Sequence, residues 1–147
     1  MSTSAVMFPV GQDWYAVAAA TVREVVFDPA RTIVPTAPGS LLGVFNLRGE
    51  VVPMFDTAAL LGVGTLTSTS VVVVVNTARG PAGLVVSGAP AVVVVGAEVG
   101  PSQLRATLGV HVVDDRIVVM VDIDVLLAPS ANVGEPTMAD LASGTRA

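Results

Sequence analysis

With 147 residues the chain is long enough to bury a core without covalent staples, and the absence of cysteine excludes disulfides, zinc–thiolate centres and thiol chemistry. Seven arginines, no lysine and twelve acids leave a net charge of −5 and a pI near 4.5, a balance that argues against a nucleic-acid groove and against attraction to anionic lipid. Apolar residues make up 52% and the mean hydropathy is +0.76, yet the longest central uncharged span, 80–97, contains Pro81, Gly83, Gly88 and Pro90 and reads as two buried strands around a turn rather than a membrane helix.

No basic residue precedes Arg23, and Pro9, Gly11 and Asp13 interrupt the first apolar stretch, so the expectation is a cytoplasmic protein without a leader. Residues 5–10 predict a strand, Gly11-Gln12-Asp13 a turn and 14–18 a second strand, with Trp14 and Tyr15 on opposite faces, one inside and one at a rim. Residues 16–21 are compatible with a helical turn before a strand at 22–27, which Asp28-Pro29 stops. Residues 33–40, with Pro35, Pro38 and Gly39, form an irregular crossover.

The segment 42–62 is the organising unit: strand, tight turn at Arg48-Gly49, strand, and a short helical segment 57–61 capped by Asp56 and closed by Gly62. It recurs sixty-six residues later, without a gap, at 108–128, with eight of twenty-one positions identical. Among these are Gly43/Gly109, Met54/Met120 and Asp56/Asp122, and Asp114-Asp115 stands where Arg48-Gly49 stood. Between the copies, 62–70 is a polar link; then come a strand at 71–75, a turn at 76–81, and strands at 82–86 and 91–95. Five consecutive valines suit a strand buried on both faces.

The order of elements repeats as well, which gives one domain, 1–128, of two pseudo-repeated halves at roughly 5–64 and 70–128, followed by a flexible tail, 129–147, with at most one helical turn near 138–141. The fold class is all-β: two small barrels sharing a hydrophobic core, with strands possibly exchanged between them.

Few residues could carry chemistry. His111 is the single histidine and takes the repeat position of Phe45, the place of a packed strand residue. Asp56 and Asp122 are repeat mates, and Phe55-Asp56-Thr57-Ala58 is close to an aspartic-protease signature. The second copy reads Asp122-Ile123-Asp124, however, and helix capping accounts for both aspartates. No metal site, cofactor or catalytic group is expected. Arg48, at a hairpin tip beside Asn46 and Gly49, and Glu24, in an otherwise apolar strand, stand out in a sequence poor in charge.

These residues carry a resemblance. Phe8-x-x-Gly11-x-x-Trp14-Tyr15, Val22-x-Glu24-Val25, Pro35-x-Ala37-Pro38 and Gly43-Val44-x-Asn46-Leu47-Arg48-Gly49-x-Val51-Val52-Pro53-x-x-Asp56, with Gly83–Val86 and Leu108–Leu127 in the second half, resemble the CheW-like family of bacterial chemotaxis coupling proteins over residues 5–128. The resemblance implies two five-stranded SH3-like barrels and no catalysis. It implies an adaptor between chemoreceptors and the histidine kinase CheA, bound to the kinase's regulatory domain and to the cytoplasmic tip of the receptors. Nucleic acid, membrane insertion and a small-molecule substrate are not implied. It places Val22, Glu24, Val25, Gly43, Asn46 and Arg48 at or beside partner surfaces, with Gly49 as the structural turn residue. Glu24 and Arg48 are expected to pair across adjacent strands. Three departures are Ser87, where members usually carry an acid, a short 95–108 loop, and the absence of lysine throughout.

Overall fold

The computed structural model describes residues 3–35 and 39–128; the predicted tail, and Ala37 and Pro38 of the crossover, lie outside them. The chain opens with a hairpin, β1 (Thr3–Val10) and β2 (Asp13–Ala18), turned by Gly11 at φ 63°. The ambiguous stretch resolves into a single 3-10 turn, Ala19–Thr21, whose Thr21 hydroxyl donates to the Ala18 carbonyl at 2.7 Å. There follow β3 (Val22–Phe27), a two-residue β4 (Arg31–Thr32), the hairpin β5 (Leu41–Leu47) and β6 (Glu50–Asp56), and α1 (Thr57–Leu61). The second half comprises β7 (Val71–Thr77), β8 (Gly80–Val86), β9 (Ala91–Val95), β10 (Thr107–Val113), β11 (Arg116–Val121) and α2 (Ile123–Leu126).

The structure adds one strand and corrects one expectation. β4, inside a stretch too short to show any alternation, pairs with β5 through Arg31↔Phe45 and Thr32↔Val44. The broad turn expected at 76–81 shrinks to Ala78-Arg79, because Asn76↔Pro81 and Thr77↔Gly80 are already in register. Pro81 is tolerated in β8 because the strand's other neighbour joins it only at Gly83, so no ladder bond is missing on that side.

The strands form two sheets, β10-β11-β2-β1-β9 and β3-β7-β8-β6-β5-β4. Each is made antiparallel within its hairpins and parallel where the hairpins meet, β11 on β2 in one and β6 on β8 in the other. In the first sheet, the chain leaving β9 lies back on β10: Val99 N–H donates to the Val110 carbonyl at 2.7 Å, and Val110 N–H to Gly100 at 2.9 Å. That brings the two ends of the sheet together. β4 lies in the same way on Val44, the repeat mate of Val110.

All strands of the second barrel come from one uninterrupted stretch, Val22–Val86, while the first barrel joins β1–β2 to β9–β11. Each barrel therefore takes one hairpin from the other sequence half, β1–β2 going to one and β7–β8 to the other. The repeat is visible in detail. Both copies carry a bulge at their glycine, Leu41/Gly43 and Thr107/Gly109. Arg105 donates to the carbonyls of Leu60, at 3.2 Å, and Leu126, at 3.5 Å, which are repeat mates at the ends of α1 and α2. A cation there satisfies carbonyls that have no partner within either helix.

The core has three parts. Ala5, Met7, Ala16, Val118 and Met120 fill the first barrel. Phe45, Val52, Met54, Val72, Val74 and Val85 fill the second. The largest cluster lies between them: Val6, Phe8, Val10, Tyr15 and Val17 of the first barrel face Val71, Val73, Val75, Ala82, Leu84 and Val86 of the second, with Ala58 and Leu61 of α1 and Ile123, Leu126 and Leu127 at the α2 end. The valine run alternates between the last two clusters, which is why it shows no polar positions.

A seam shared by both barrels predicts one cooperative transition. Leu84→Ala, at a fully buried seam position, should cost about 2–5 kcal/mol. Urea unfolding followed by Trp14 fluorescence, a first-barrel probe, and by circular dichroism should shift together; separate midpoints would show that the barrels fold independently.

Candidate functional site

Leu47 pairs with Glu50, so the β5–β6 turn contains only Arg48 and Gly49. Their φ angles, 52° and 88°, are both positive, as the mirror-image type I′ turn matching strand twist demands. Asn46 Oδ1 accepts the Gly49 N–H at 2.8 Å and pins the turn from below. Asp114 and Asp115, at 49° and 64°, make the same turn between Val113 and Arg116 in the second copy. Asp and Asn suit such positions; an arginine does so only at a steric cost. What the position gains from Arg48 is its guanidinium, and that side chain is 74% exposed.

The guanidinium meets Glu24. Nη1 donates to Oε2 and Nη2 to Oε1, the latter at 3.1 Å, in a two-pronged pair. Hydrogen bonding from Arg48, with the guanidinium charge behind it, holds the Glu24 carboxyl below its ordinary pKa against a smaller opposing effect of burial. The pairing expected from the sequence is present, but its setting is different: β3 is bonded to β7, four places from β5 in the sheet order, so the two residues do not lie on adjacent strands.

A bulge in β3 makes this reach possible. The register with β7 passes from Val22↔Val75 to Glu24↔Val74, leaving Arg23 as the extra residue. Consecutive side chains consequently both reach the hairpin. Glu24 takes Arg48, while Arg23 Nη1 lies 2.7 Å from Glu50 Oε1 and its Nε donates to Asn76 Oδ1 at 2.9 Å. Arg23, Glu50 and Asn76 were not among the residues picked out from the sequence. Their signal was available in part: Arg-Glu in β3 faces Arg-x-Glu around the turn, opposite charges in opposite order.

The remaining positions divide by depth. Asn46 is exposed, while Val22 and Val25 are half-buried and pack on the seam between barrels. Gly43 is buried and offers no face to a partner; at φ 149°, a Cβ placed on it would lie 2.6 Å from the Thr32 carbonyl oxygen. Its influence on the surface runs through β4, which needs that close approach.

The groups weighed for chemistry are otherwise engaged. Asp56, 2% exposed, caps α1 through Oδ1 to Ala59 N–H at 3.1 Å and accepts Leu66 N–H on Oδ2 at 2.9 Å, tying the polar link to the barrel. Asp122 caps α2 through Val125 N–H at 3.2 Å. His111 is half-exposed rather than packed like Phe45, with Nδ1 2.9 Å from the Gly96 carbonyl. Tyr15 is the inward aromatic; Trp14 lies at the rim with Arg116 4.2 Å above its ring. Ser87 Oγ accepts Gly11 N–H at 2.7 Å, so a short hydroxyl just past β8 latches that strand to the first hairpin.

The sequence profile of the CheW-like domain matches residues 4–130. The chain belongs to that family. It is 27% identical over 133 residues, 84% of its length and 86% of the relative's, to a probable chemotaxis protein CheW of Rhizobium etli. Over 57 residues, 39% of this chain and 37% of the relative, it is 42% identical to the chemotaxis protein CheW of Rhizobium meliloti. Its fold matches the crystal structure of the scaffolding protein TtCheW from Thermoanaerobacter tengcongensis with a TM-score of 0.77 at 23% identity, covering 90% of this chain and 97% of that one.

Two outcomes test this geometry. In a carboxyl-carbon NMR titration the Glu24 midpoint should move up, toward the ordinary glutamate range, in Arg48→Gln. Because the folded-state pKa is depressed, the pair's small contribution to stability is present above the unfolded pKa and is lost as pH falls through the folded one. An unmoved midpoint would dissolve the pair. Gly43→Ala should destabilise by about 1–3 kcal/mol and speed amide exchange at Val44, whose partner strand is displaced.

Proposed function

We propose that the chain is a non-catalytic adaptor that couples chemoreceptors to the histidine kinase CheA in bacterial chemotaxis. Membership of the CheW-like family supports this reading, and the exposed Glu24–Arg48 pair supports its placement on the molecule. An ion pair so open to solvent adds little to folding; its value is to hold a charged group in one orientation at a surface. The kinase regulatory domain meets the surface formed by Glu24, Asn46 and Arg48, with Val22 and Val25 as the apolar shoulder. The receptor tip, a helical hairpin, lies along the groove between barrels, where an amphipathic helix finds apolar side chains with a polar rim.

No described helix is long and apolar enough to cross a membrane. We place the protein in the cytoplasm, drawn to receptor arrays at the inner face of the membrane by its partners rather than by lipid. Neither nucleic acid nor a small-molecule substrate enters this scheme. Its chemistry is recognition: a rigid turn presents a planar cation, one edge held by Glu24 and the other suited to a carboxylate on the partner.

Calorimetric titration with the regulatory domain of the same organism's chemotaxis kinase tests the proposal. Wild type should bind saturably, and Arg48→Glu should weaken binding at least about tenfold. Arg48→Asn should weaken it too while folding as stably as wild type or more so, since Asn-Gly is a preferred type I′ pair. Full binding by both variants would move the kinase contact to another surface. No binding by wild type at high micromolar concentration would remove the coupling role.

A further inference from the structure

Sheet order leaves the second barrel with an open side. β3 is one end of its sheet and β4 the other, with β5 next to it, and no described backbone hydrogen bond joins β3 to the β5–β6 hairpin. The described side-chain hydrogen bonds and ion pairs that cross this gap come from two consecutive residues, Arg23 and Glu24. They grip the two residues flanking Gly49: Glu24 takes Arg48, and Arg23 takes Glu50. The signs alternate, so each charge on β3 faces its opposite on the hairpin and stands beside a like charge it would repel if the hairpin shifted by one residue.

The two pairs are not equivalent. Glu24 holds the exposed guanidinium and nothing else among the described contacts. Arg23 uses separate nitrogens for separate elements, Nη1 for Glu50 at the start of β6 and Nε for Asn76 near the end of β7. It lies in the β3 bulge, and at 34% side-chain exposure it is much less open than Arg48 at 74%. A planar fork that bonds two elements at once fixes those elements relative to each other, whereas the Glu24 pair fixes only the guanidinium at the end of its own side chain. A two-residue turn is stiff, so fixing Glu50 fixes the backbone from which Arg48 projects.

We infer that Arg23 is the positioning residue of this surface: by gripping Glu50 and Asn76 together it locks the β5–β6 turn against β3 and β7 and so sets the direction in which Arg48 is presented. The binding consequence rests on the coupling function proposed above; the positioning itself does not. Lysine at this place could reach either partner but not both with fixed geometry, so Arg23→Lys should be a partial loss.

The experiment has two arms, run on wild type, Arg23→Gln, Arg23→Lys, Arg23→Glu, Glu50→Arg and the double reversal Arg23→Glu/Glu50→Arg, with thermal unfolding to confirm that each folds. The first arm reads the Arg48 Nε–H resonance by nitrogen-15 NMR. Arg23→Gln should collapse its shift toward that of a free arginine and speed its exchange with water, Arg23→Lys should do so in part, and the double reversal should restore it relative to either single reversal. An Arg48 resonance indifferent to Arg23 overturns the inference. The second arm repeats the calorimetric titration with the kinase regulatory domain. Each single reversal should weaken binding about tenfold, and the double reversal should recover most of it. If wild type binds and Arg23→Glu binds equally well, the positioning has no consequence for the partner and the inference falls. If wild type does not bind, the proposed function falls, and the NMR arm alone decides whether Arg23 positions Arg48.

Discussion

The apolar seam between the two barrels is the constraint on which the rest of the structure depends. Neither sheet covers its apolar faces by itself, because β1, β2, β7 and β8 are apolar on both faces and each barrel interior can cover only one of them. Burying the second faces against each other satisfies both sheets at once, and the two short helices close the ends of the seam with Ala58, Leu61, Ile123 and Leu126. Hydrophobic burial of this kind has no direction of its own. Direction comes from the polar fastenings around it: the aspartate caps, the Ser87–Gly11 latch, and Arg105 across the carbonyl ends of both helices.

The seam also explains where the candidate site lies. β3 is held by β7 on one side and by Val22 and Val25 on the seam beneath, so its backbone is a fixed platform. The β5–β6 tip stands opposite with no ladder bond to it, and the gap is spanned by charge. An electrostatic contact over a fixed platform can orient a group without committing much folding energy to it.

Duplication supplied two such tips, and they have diverged. One carries Arg48 and Gly49 and meets Glu24. The other carries Asp114 and Asp115, and the next residue, Arg116, lies over the Trp14 ring. The backbone geometry is the same, yet the charges are opposite, so the two ends of a pseudo-symmetric molecule present different faces. Gly43 and Gly109 show the same divergence within a kept framework: β4 closes on the first, and the Glu98 side chain lies over the second.

Much of this was legible in the sequence because it is encoded locally. The tight turns, the capping aspartates with Gly62 at φ 76°, and the doubly buried valine run each depend on residues within a few positions of one another, where propensity and periodicity act, and the repeat shows by direct comparison of the two copies. Family resemblance added Glu24 and Arg48 as a pair. What only the tertiary structure decided is anything resting on the order of strands in a sheet: that each barrel borrows a hairpin from the other half, that Glu24 reaches Arg48 across a gap rather than along a ladder, that Gly43 lies beneath β4, and that Arg23 joins Glu50 to Asn76. Strand order is set by the summed burial of a whole face, and an alternating apolar pattern fits any neighbour that offers an apolar face in return. Local sequence therefore specifies the strands and their turns, while the choice among partners is made only when the seam closes.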